Sequence, residues 1–536
     1  MAAPISLPGS LKNVMTVDNP SPDEQLLQAS TLWQLLEHRV QRSPSATMLI
    51  DAGRGLKLTF AQAHNIAERL AAGFLATGIA PDSVVTWQLP TGVTAVMTAL
   101  ALSRLGCVQN PIIHLYGERE LTLVLGRSRS EFLLVPGITS GRDYPAEAGR
   151  VCAQLKEPPM LLVMEGELPQ GKPSTLPPPP QEGGSVRWVY YTSGTTSDPK
   201  GARHTDETLM TGGRNLAIAM AVAADDVGTV AFPYAHIGGA MYTCMLLASG
   251  MSAVLLERFV PAEACATFRR YRVTTTGGST AHYEALLAEQ RRQPDTPLLP
   301  ALKLLCGGGA PKPPDLYFAI RRELGCGLTH NYGMTEVPLV SAGTPQDSDE
   351  QLAHTDGMPV QDVEVIIVKR DGDVARPGQE GEIRLRGKGV FKGYTDTALN
   401  EEAFDQNGYF RTGDLGVLRA DGRLALTGRL KDVIIRKGEN ISAREIEELL
   451  YSHPRVANVA VIGLPDAQRG ERVCAVVEPV PGEVPLSFDE MVAFFHAAGV
   501  MRQKIPEQLE IMEQLPRNQA LNKILKHKLR ELFVAG

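Results

Sequence analysis

Strand-like and helix-like stretches alternate along most of the first 330 residues, and this rhythm limits the folds open to the chain. Val84 to Leu89 reads as a strand, Val93 to Leu105 as a helix, and Phe132 to Val135 as a strand. Further strands are expected near 228–232, 252–256, 272–276, 302–306 and 327–331, with helices between them. Such alternation builds parallel sheets covered by helices. Residues 136–185 break the rhythm with Pro158, Pro159, Pro169, Pro173 and Pro177 to Pro180, so a loop or surface excursion is expected there. Two blocks of alternation on either side of it predict two sheets. With 536 residues, the chain is too long for one core.

The pattern changes after Gly357. Val363 to Val368 and Glu382 to Leu385 are short strands between Asp-Gly and Pro-Gly turns, which predicts a smaller antiparallel sheet or barrel. A compact α+β segment follows Arg429. Ser442 and Glu445 form a capping box that opens a helix through Tyr451, and Ser487 and Glu490 form another. Val456 to Ile462 and Arg472 to Val477 read as strands, and Ala520 to Phe533 as a basic amphipathic helix. The expected division is a large α/β domain over residues 1–430 and a small α+β domain over 431–536. Residues 1–30 read as a loosely attached leader, and Thr31 to Arg42 and Thr59 to Thr77 as amphipathic helices.

Composition narrows the class. The formal charge of −7 argues against a general nucleic-acid binder. Seven scattered cysteines with no CxxC pair fit free thiols in a reducing cytoplasm. No basic region followed by an apolar run opens the chain, so no signal peptide is expected. Gly238 to Leu256 carries no charge, but Gly250 and Ser252 interrupt it, so it reads as a buried helix and a buried strand rather than a membrane span.

The stretch from Val189 to His204 reads Val-Tyr-Tyr-Thr-Ser-Gly-Thr-Thr-Ser-Asp-Pro-Lys-Gly-Ala-Arg-His. A strand runs into a hydroxyl- and glycine-rich loop ending at Lys200. Such a loop suits a polyphosphate, because hydroxyl and backbone donors wrap the oxygens and the ammonium neutralises charge. It is not the nucleoside-triphosphatase P-loop, since Pro199 precedes the lysine and Gly201 follows it. Leu305-Cys-Gly-Gly-Gly-Ala310 ends a buried strand without side-chain bulk, where a flat ring could lie against backbone. In Asn331-Tyr-Gly-Met-Thr-Glu336, Tyr332 offers an aromatic face, Thr335 a hydroxyl and Glu336 a carboxylate for Mg2+, which commonly binds through one carboxylate plus substrate phosphates. Asp414, in Gly408-Tyr-Phe-Arg-Thr-Gly-Asp414, reads by itself as an aspartate in a glycine-flanked turn. Taken alone, His236 is more often a core histidine, and Lys523 one solvated lysine among several.

These segments together resemble the adenylate-forming superfamily of acyl-CoA synthetases, luciferases and peptide-synthetase adenylation domains. The matching stations fall in family order over roughly residues 30–530. The resemblance implies two helix-covered sheets plus a small barrel-like sheet, with a small mobile C-terminal domain. It implies ATP, Mg2+ and coenzyme A as cofactors. Thr192, Ser193, Gly194, Thr195, Thr196 and Lys200 take the phosphates, with Thr195 and Glu336 on the metal. Gly308, Gly309, Ala310 and Tyr332 line adenine, Asn331 and Gly333 also bind the nucleotide, and Asp414 and Arg429 hold the ribose. Lys523, Thr335, Glu336 and His236 are the implied catalytic set. His236 also sits at the floor of an acid pocket with Ile237, Gly238, Gly239, Gly278 and Gly307. Lys431 is the implied hinge, and Lys437 and Gly438 flank the coenzyme A channel. The last family motif usually ends Ser-Gly-Lys; here Leu521-Asn522 precedes Lys523, and asparagine tolerates left-handed backbone better than most residues.

The small residues around His236 leave volume with no charge to meet a second polar end. They predict a bulky, mainly apolar acid: medium-chain, alicyclic, aryl or steroid side-chain. Local wording around Lys200 is similar to cyclohexanecarboxylate-type and medium-chain acyl-CoA ligases. The expected activity is ATP-dependent acid:CoA ligation, with loading of a carrier protein as the alternative. Expected partners are the acid, ATP and CoA, with no nucleic acid and no membrane-spanning segment; a homodimer is compatible with the sequence.

Overall fold

The computed structural model describes residues 28–192, 199–436, 439–466, 468–518 and 523–534. Ser193, Gly194, Thr195, Thr196, Lys437, Gly438 and the Leu521-Asn522 pair therefore lie outside the described residues, as does the side chain of Thr192.

The alternation resolves into two sheets with a helical layer between them. In the first, the strands run in the spatial order Lys200–Thr205, Val186–Thr192, Val108–Pro111, Val84–Trp87, Phe132–Val135, Met160–Val163. All neighbours are parallel except Lys200–Thr205, which folds back antiparallel on Val186–Thr192. The second is built from Val227–Val230, Ser252–Leu255, Thr47–Asp51 and Leu56–Thr59, joined through the Thr274 N–H bond to Val227 O (2.9 Å) to Thr275–Gly278, Leu304–Gly308 and Gly327–Tyr332. Helices Phe60–Ala76, Val93–Leu105, Asp206–Met220 and Ile237–Ser249 share one core with both sheets. Val93–Leu105 is buried at every position but Thr94, as a helix enclosed on all sides requires. Pro261–Arg270 and Thr280–Arg291 cover the outer face of the second sheet.

Val363–Val368, Glu380–Gly387, Phe410–Leu418 and Leu424–Arg429 form the expected antiparallel sheet. A 3-10 turn, Leu430–Asp432, separates it from the small domain's sheet, which begins at Val433–Arg436 and centres on the long pair Val456–Asp466 and Gly470–Pro479. That domain has its own core, which includes Ile434, Ile446, Leu450, Val461, Val473, Ala475, Val477 and Phe495. The alternate residues 473, 475 and 477 lie on one face of their strand, so the period of two places all three in that core.

Three expectations need correction. The proline-rich break is shorter than predicted: Tyr144–Cys152 is a helix and Met160–Val163 extends the first sheet beside Phe132–Val135. Pro158 and Pro159 precede that strand and so cost it no ladder bond. The Ser442 cap is one-sided. Its hydroxyl accepts from Glu445 N–H at 3.3 Å, but the Glu445 carboxylate is held by Lys504 at 2.6 Å. The terminal helix starts at Lys526 rather than Ala520, because Ile524, just before it, makes an antiparallel bridge with Arg517. Gly238 to Leu256 is a helix and a strand as expected, and no described helix is long and apolar enough to cross a membrane. All seven cysteines are free thiols.

Candidate active site

The strands of the second sheet end in a wall of bare backbone. A Cβ on Gly308 would meet Asn331 O at 2.2 Å, and one on Gly307 would meet Gly278 O at 2.1 Å. Neither position has room for a side chain. Gly309 follows at φ +80°, a left-handed conformation that favours glycine.

Lys523 reaches this wall from the small domain. Its Nζ and Cε lie 3.9 Å from where a Gly309 Cβ would be. Burial of its ammonium lowers its pKa. Arg429 lowers it further and Asp414 opposes the shift. The residue as a whole keeps exposed surface, so solvent screens these interactions.

Asp414 and Arg429 face each other across neighbouring strands. The Arg429 Nε lies 2.9 Å from Asp414 Oδ1, and the Tyr332 hydroxyl donates to Oδ2 at 2.7 Å. Asp414 is buried, but a carboxylate oxygen has two lone pairs, so each keeps capacity for another donor.

His236 caps helix Ile237–Ser249 by accepting from Gly238 N–H through Nδ1 at 3.2 Å. Burial pushes its pKa down to about 4, and Lys523 adds to the shift. The ring is therefore neutral near pH 7, with its proton on Nε2. His236, Ile237, Thr335 and Tyr191 line one small cavity.

The loop after Tyr332 is held on its other side. The Tyr394 hydroxyl donates to Glu336 Oε1 at 2.7 Å, and Phe391 N–H donates to Glu336 O at 2.9 Å. Lys200 Nζ stands 5.5 Å from the centre of the Tyr394 ring. His204 bridges Thr208 Oγ1 (2.9 Å) and Thr335 O (2.7 Å), and burial pushes its pKa down to about 4.

The structure thus gathers Lys523, Gly309, Asp414, Arg429, Tyr332 and His236, and ties Glu336 to Lys200 through Tyr394. Lys200 pairs with Thr192, so the hydroxyl-rich segment connects two paired antiparallel strands. Two acid-pocket residues do not present open volume. A Gly239 Cβ would meet Tyr234 O at 2.0 Å, and a Gly307 Cβ points at the Tyr283 hydroxyl, 2.6 Å away. Gly333 is likewise pressed on Pro338 O. Gly238 is less confined: a built Cβ meets only side-chain atoms, of His236 at 3.2 Å and Phe232 at 3.4 Å. Phe232, His204 and Tyr394 escape a sequence reading. His204 stands four residues after Lys200, a usable signal; Tyr394 has none, since its partner is 58 positions away.

Among the described residues, no three His, Cys, Asp or Glu side chains converge as a metal cage. A divalent ion here would take Glu336 together with oxygens of a bound phosphate, and a magnesium ion suits that donor set.

A family model described as AMP-binding enzyme matches residues 36–395, and one described as AMP-binding enzyme C-terminal domain matches residues 445–520. The chain belongs to the AMP-binding enzyme family. It is an enzyme of the adenylate-forming superfamily, on the acid–thiol ligase side of it. It is 33% identical to a salicyl-AMP ligase / salicyl-S-ArCP synthetase of Mycobacterium tuberculosis, over 94% of this chain and 91% of that one. It is 30% identical to a medium-chain fatty-acid–CoA ligase of Escherichia coli, over 91% and 88%. Its fold is similar to o-succinylbenzoate CoA synthetase of Bacillus subtilis in complex with the acyl-adenylate OSB-AMP, with a TM-score of 0.81, 27% identity, and coverage of 93% and 98%.

Proposed function

We propose that the protein activates a bulky, mainly apolar carboxylic acid with ATP and transfers the acyl group to coenzyme A. One observation carries this reading: Lys523 of the small domain lies against Gly309 and within the field of Asp414, Arg429 and His236. A lysine between an adenine wall and an acid pocket can bridge a carboxylate and an α-phosphate.

In the first step, a carboxylate oxygen attacks the α-phosphorus and the bond to the β-phosphate oxygen breaks, releasing pyrophosphate. Such a step depends on positioning and charge neutralisation. Lys523 holds the two approaching anions together. Thr192 to Thr196 and Lys200 take the β- and γ-phosphates, and Glu336 and Thr195 would hold Mg2+, which spreads their charge. Asp414 and Arg429 fix the ribose, and Asn331, Tyr332 and the 308–310 wall fix adenine. His236, neutral, offers its Nε2–H to the acid.

In the second step, a thiolate sulfur attacks the acyl carbon, the bond to the phosphate oxygen breaks, and AMP leaves; the thiol proton passes to solvent. The small domain, residues 431–536, turns about Lys431, withdraws Lys523 and presents Lys437 and Gly438 along the thiol channel. A hinge of this kind concentrates the backbone change in a few residues.

The relative named as a salicyl-S-ArCP synthetase favours a second reading, in which the thiol belongs to a carrier protein. The test is an acid panel of octanoate, cyclohexanecarboxylate, benzoate and a steroid side-chain acid, scored for pyrophosphate release and for AMP release with free CoA. Both products with CoA alone support ligation to CoA. Pyrophosphate without CoA-dependent AMP favours the carrier. No pyrophosphate with any acid sinks the proposal.

A further inference from the structure

The turn from strand Val227–Val230 into helix Ile237–Ser249 carries both Phe232 and His236. Gly238, in the first turn of that helix, has no side chain. The three atoms nearest to a Cβ built there would be His236 Nδ1 at 3.2 Å and Phe232 Cε2 and Cζ at 3.4 and 3.8 Å. The gap at 238 is therefore bounded by an imidazole on one side and the edge of a phenyl ring on another. Phe232 is half-buried, so part of its ring faces open space.

That ring is held in place. Phe232 O accepts from Thr91 Oγ1 at 2.7 Å, and the same hydroxyl oxygen accepts from Tyr234 N–H at 2.9 Å. Thr91 is buried just beyond strand Val84–Trp87, so it ties the turn to the first sheet as well as the second. Tyr242 meets Phe232 edge to face, with ring centroids 6.4 Å apart and planes at 75°. Four positions after Gly238, it lies on the same helix face. Tyr242 is buried, and a Cβ on Gly228 would come within 2.0 Å of its hydroxyl, so it is packed on the bare backbone of strand Val227–Val230. Phe232 is thus backed by a side chain with no room to yield in that direction.

We infer that Phe232 closes the end of the acid pocket and selects compact ring-bearing acids, aryl or alicyclic, over long chains and steroid side-chain acids. This deepens the proposed function and rests on His236 and Gly238 lining the acid pocket. The carboxylate stays beside Lys523 and His236, and the body of the acid enters the gap at 238. A rigid ring meets the edge of Phe232 without giving up chain torsions, whereas a flexible chain loses rotamer freedom on being ordered. A longer acid must also displace a ring that is tied through Thr91 and backed by Tyr242.

The experiment uses the full chain and measures kcat/KM of pyrophosphate release for benzoate, cyclohexanecarboxylate, hexanoate, octanoate and dodecanoate. Wild type should favour the two ring acids over dodecanoate. Phe232→Ala is expected to raise dodecanoate relative to benzoate about tenfold or more, the scale set by a methylene or more in an apolar pocket. Gly238→Ala puts a methyl group into the gap. It is expected to lower both ring acids about tenfold and hexanoate no more than about threefold. Both variants should keep the KM for ATP within about twofold, since neither touches the nucleotide wall. A wild type that prefers dodecanoate to both ring acids overturns the inference, as does Phe232→Ala with the wild-type order of acids. Gly238→Ala that lowers every acid equally, or none, also overturns it, and this variant decides even if Phe232→Ala fails to fold. If wild type releases pyrophosphate with no acid of the series, the functional reading itself fails, whatever the variants do.

Discussion

The walls of the site in the large domain and the segment that carries Lys523 are held in different ways. On the walls, Asp414 is bound by both Tyr332 and Arg429, Glu336 by Tyr394, and the Thr335 carbonyl by His204. These partners come from four separate segments of one domain. The segment that carries Lys523 is held by the Asn518 N–H bond to Lys523 O, the Leu525 N–H bond to Pro516 O, and the Glu478 carboxylate, which accepts from Leu515 N–H. The wall groups are thus fixed in advance, while in the proposed mechanism the lysine is delivered for one step and removed for the next. Preorganised groups lose little order when a ligand arrives; a group that serves one step gains from being able to leave.

Four variants test that contrast, from the largest expected effect down. Lys523→Ala should lower acyl-adenylate formation about 10²- to 10³-fold, as for loss of one preorganised charge at a developing anion, and spare thioester formation from supplied acyl-adenylate. Equal damage to both halves would place the lysine among the fixed groups and break the contrast. Asp414→Asn should weaken both halves, since in the proposed mechanism the nucleotide stays bound through both. The loss of charged hydrogen bonds is worth roughly 1.5–3 kcal/mol, read as a rise of about tenfold or more in the KM for ATP. A defect confined to one half would contradict a fixed wall. His204→Ala should lower thermal stability, because Thr335 O loses its partner in a buried setting, at a cost of about 1–3 kcal/mol; an unchanged melting temperature would show that the loop is held elsewhere. Tyr394→Phe removes a single hydrogen bond to Glu336, worth about 1 kcal/mol. It should raise the magnesium concentration for half-maximal pyrophosphate release a few-fold and leave stability nearly untouched.

Much of the architecture is legible in the sequence because its causes are local. The wall at 307–310 can be read from three glycines after an apolar run, and the helix at Phe60 from its amphipathic spacing. The strand Met160–Val163 escapes such a reading because prolines around it outweigh a short apolar run. Its placement depends on the free edge of Phe132–Val135, which no nearby residue announces. Gly239 and Gly307 read as open volume, yet a missing side chain leaves space only where no other backbone fills it. Here Tyr234 O and Gly278 O do.

The sequence by itself determined which chemical groups the chain carries and which short segments hold them, because turns, caps and glycine conformations are decided within a few residues. Only the tertiary structure decided which of those segments meet. Lys523 beside Gly309, Tyr394 on Glu336 and Tyr332 on Asp414 join positions far apart in the chain. Such meetings depend on how whole sheets and domains pack, a sum over many weak contacts that no single stretch of residues encodes.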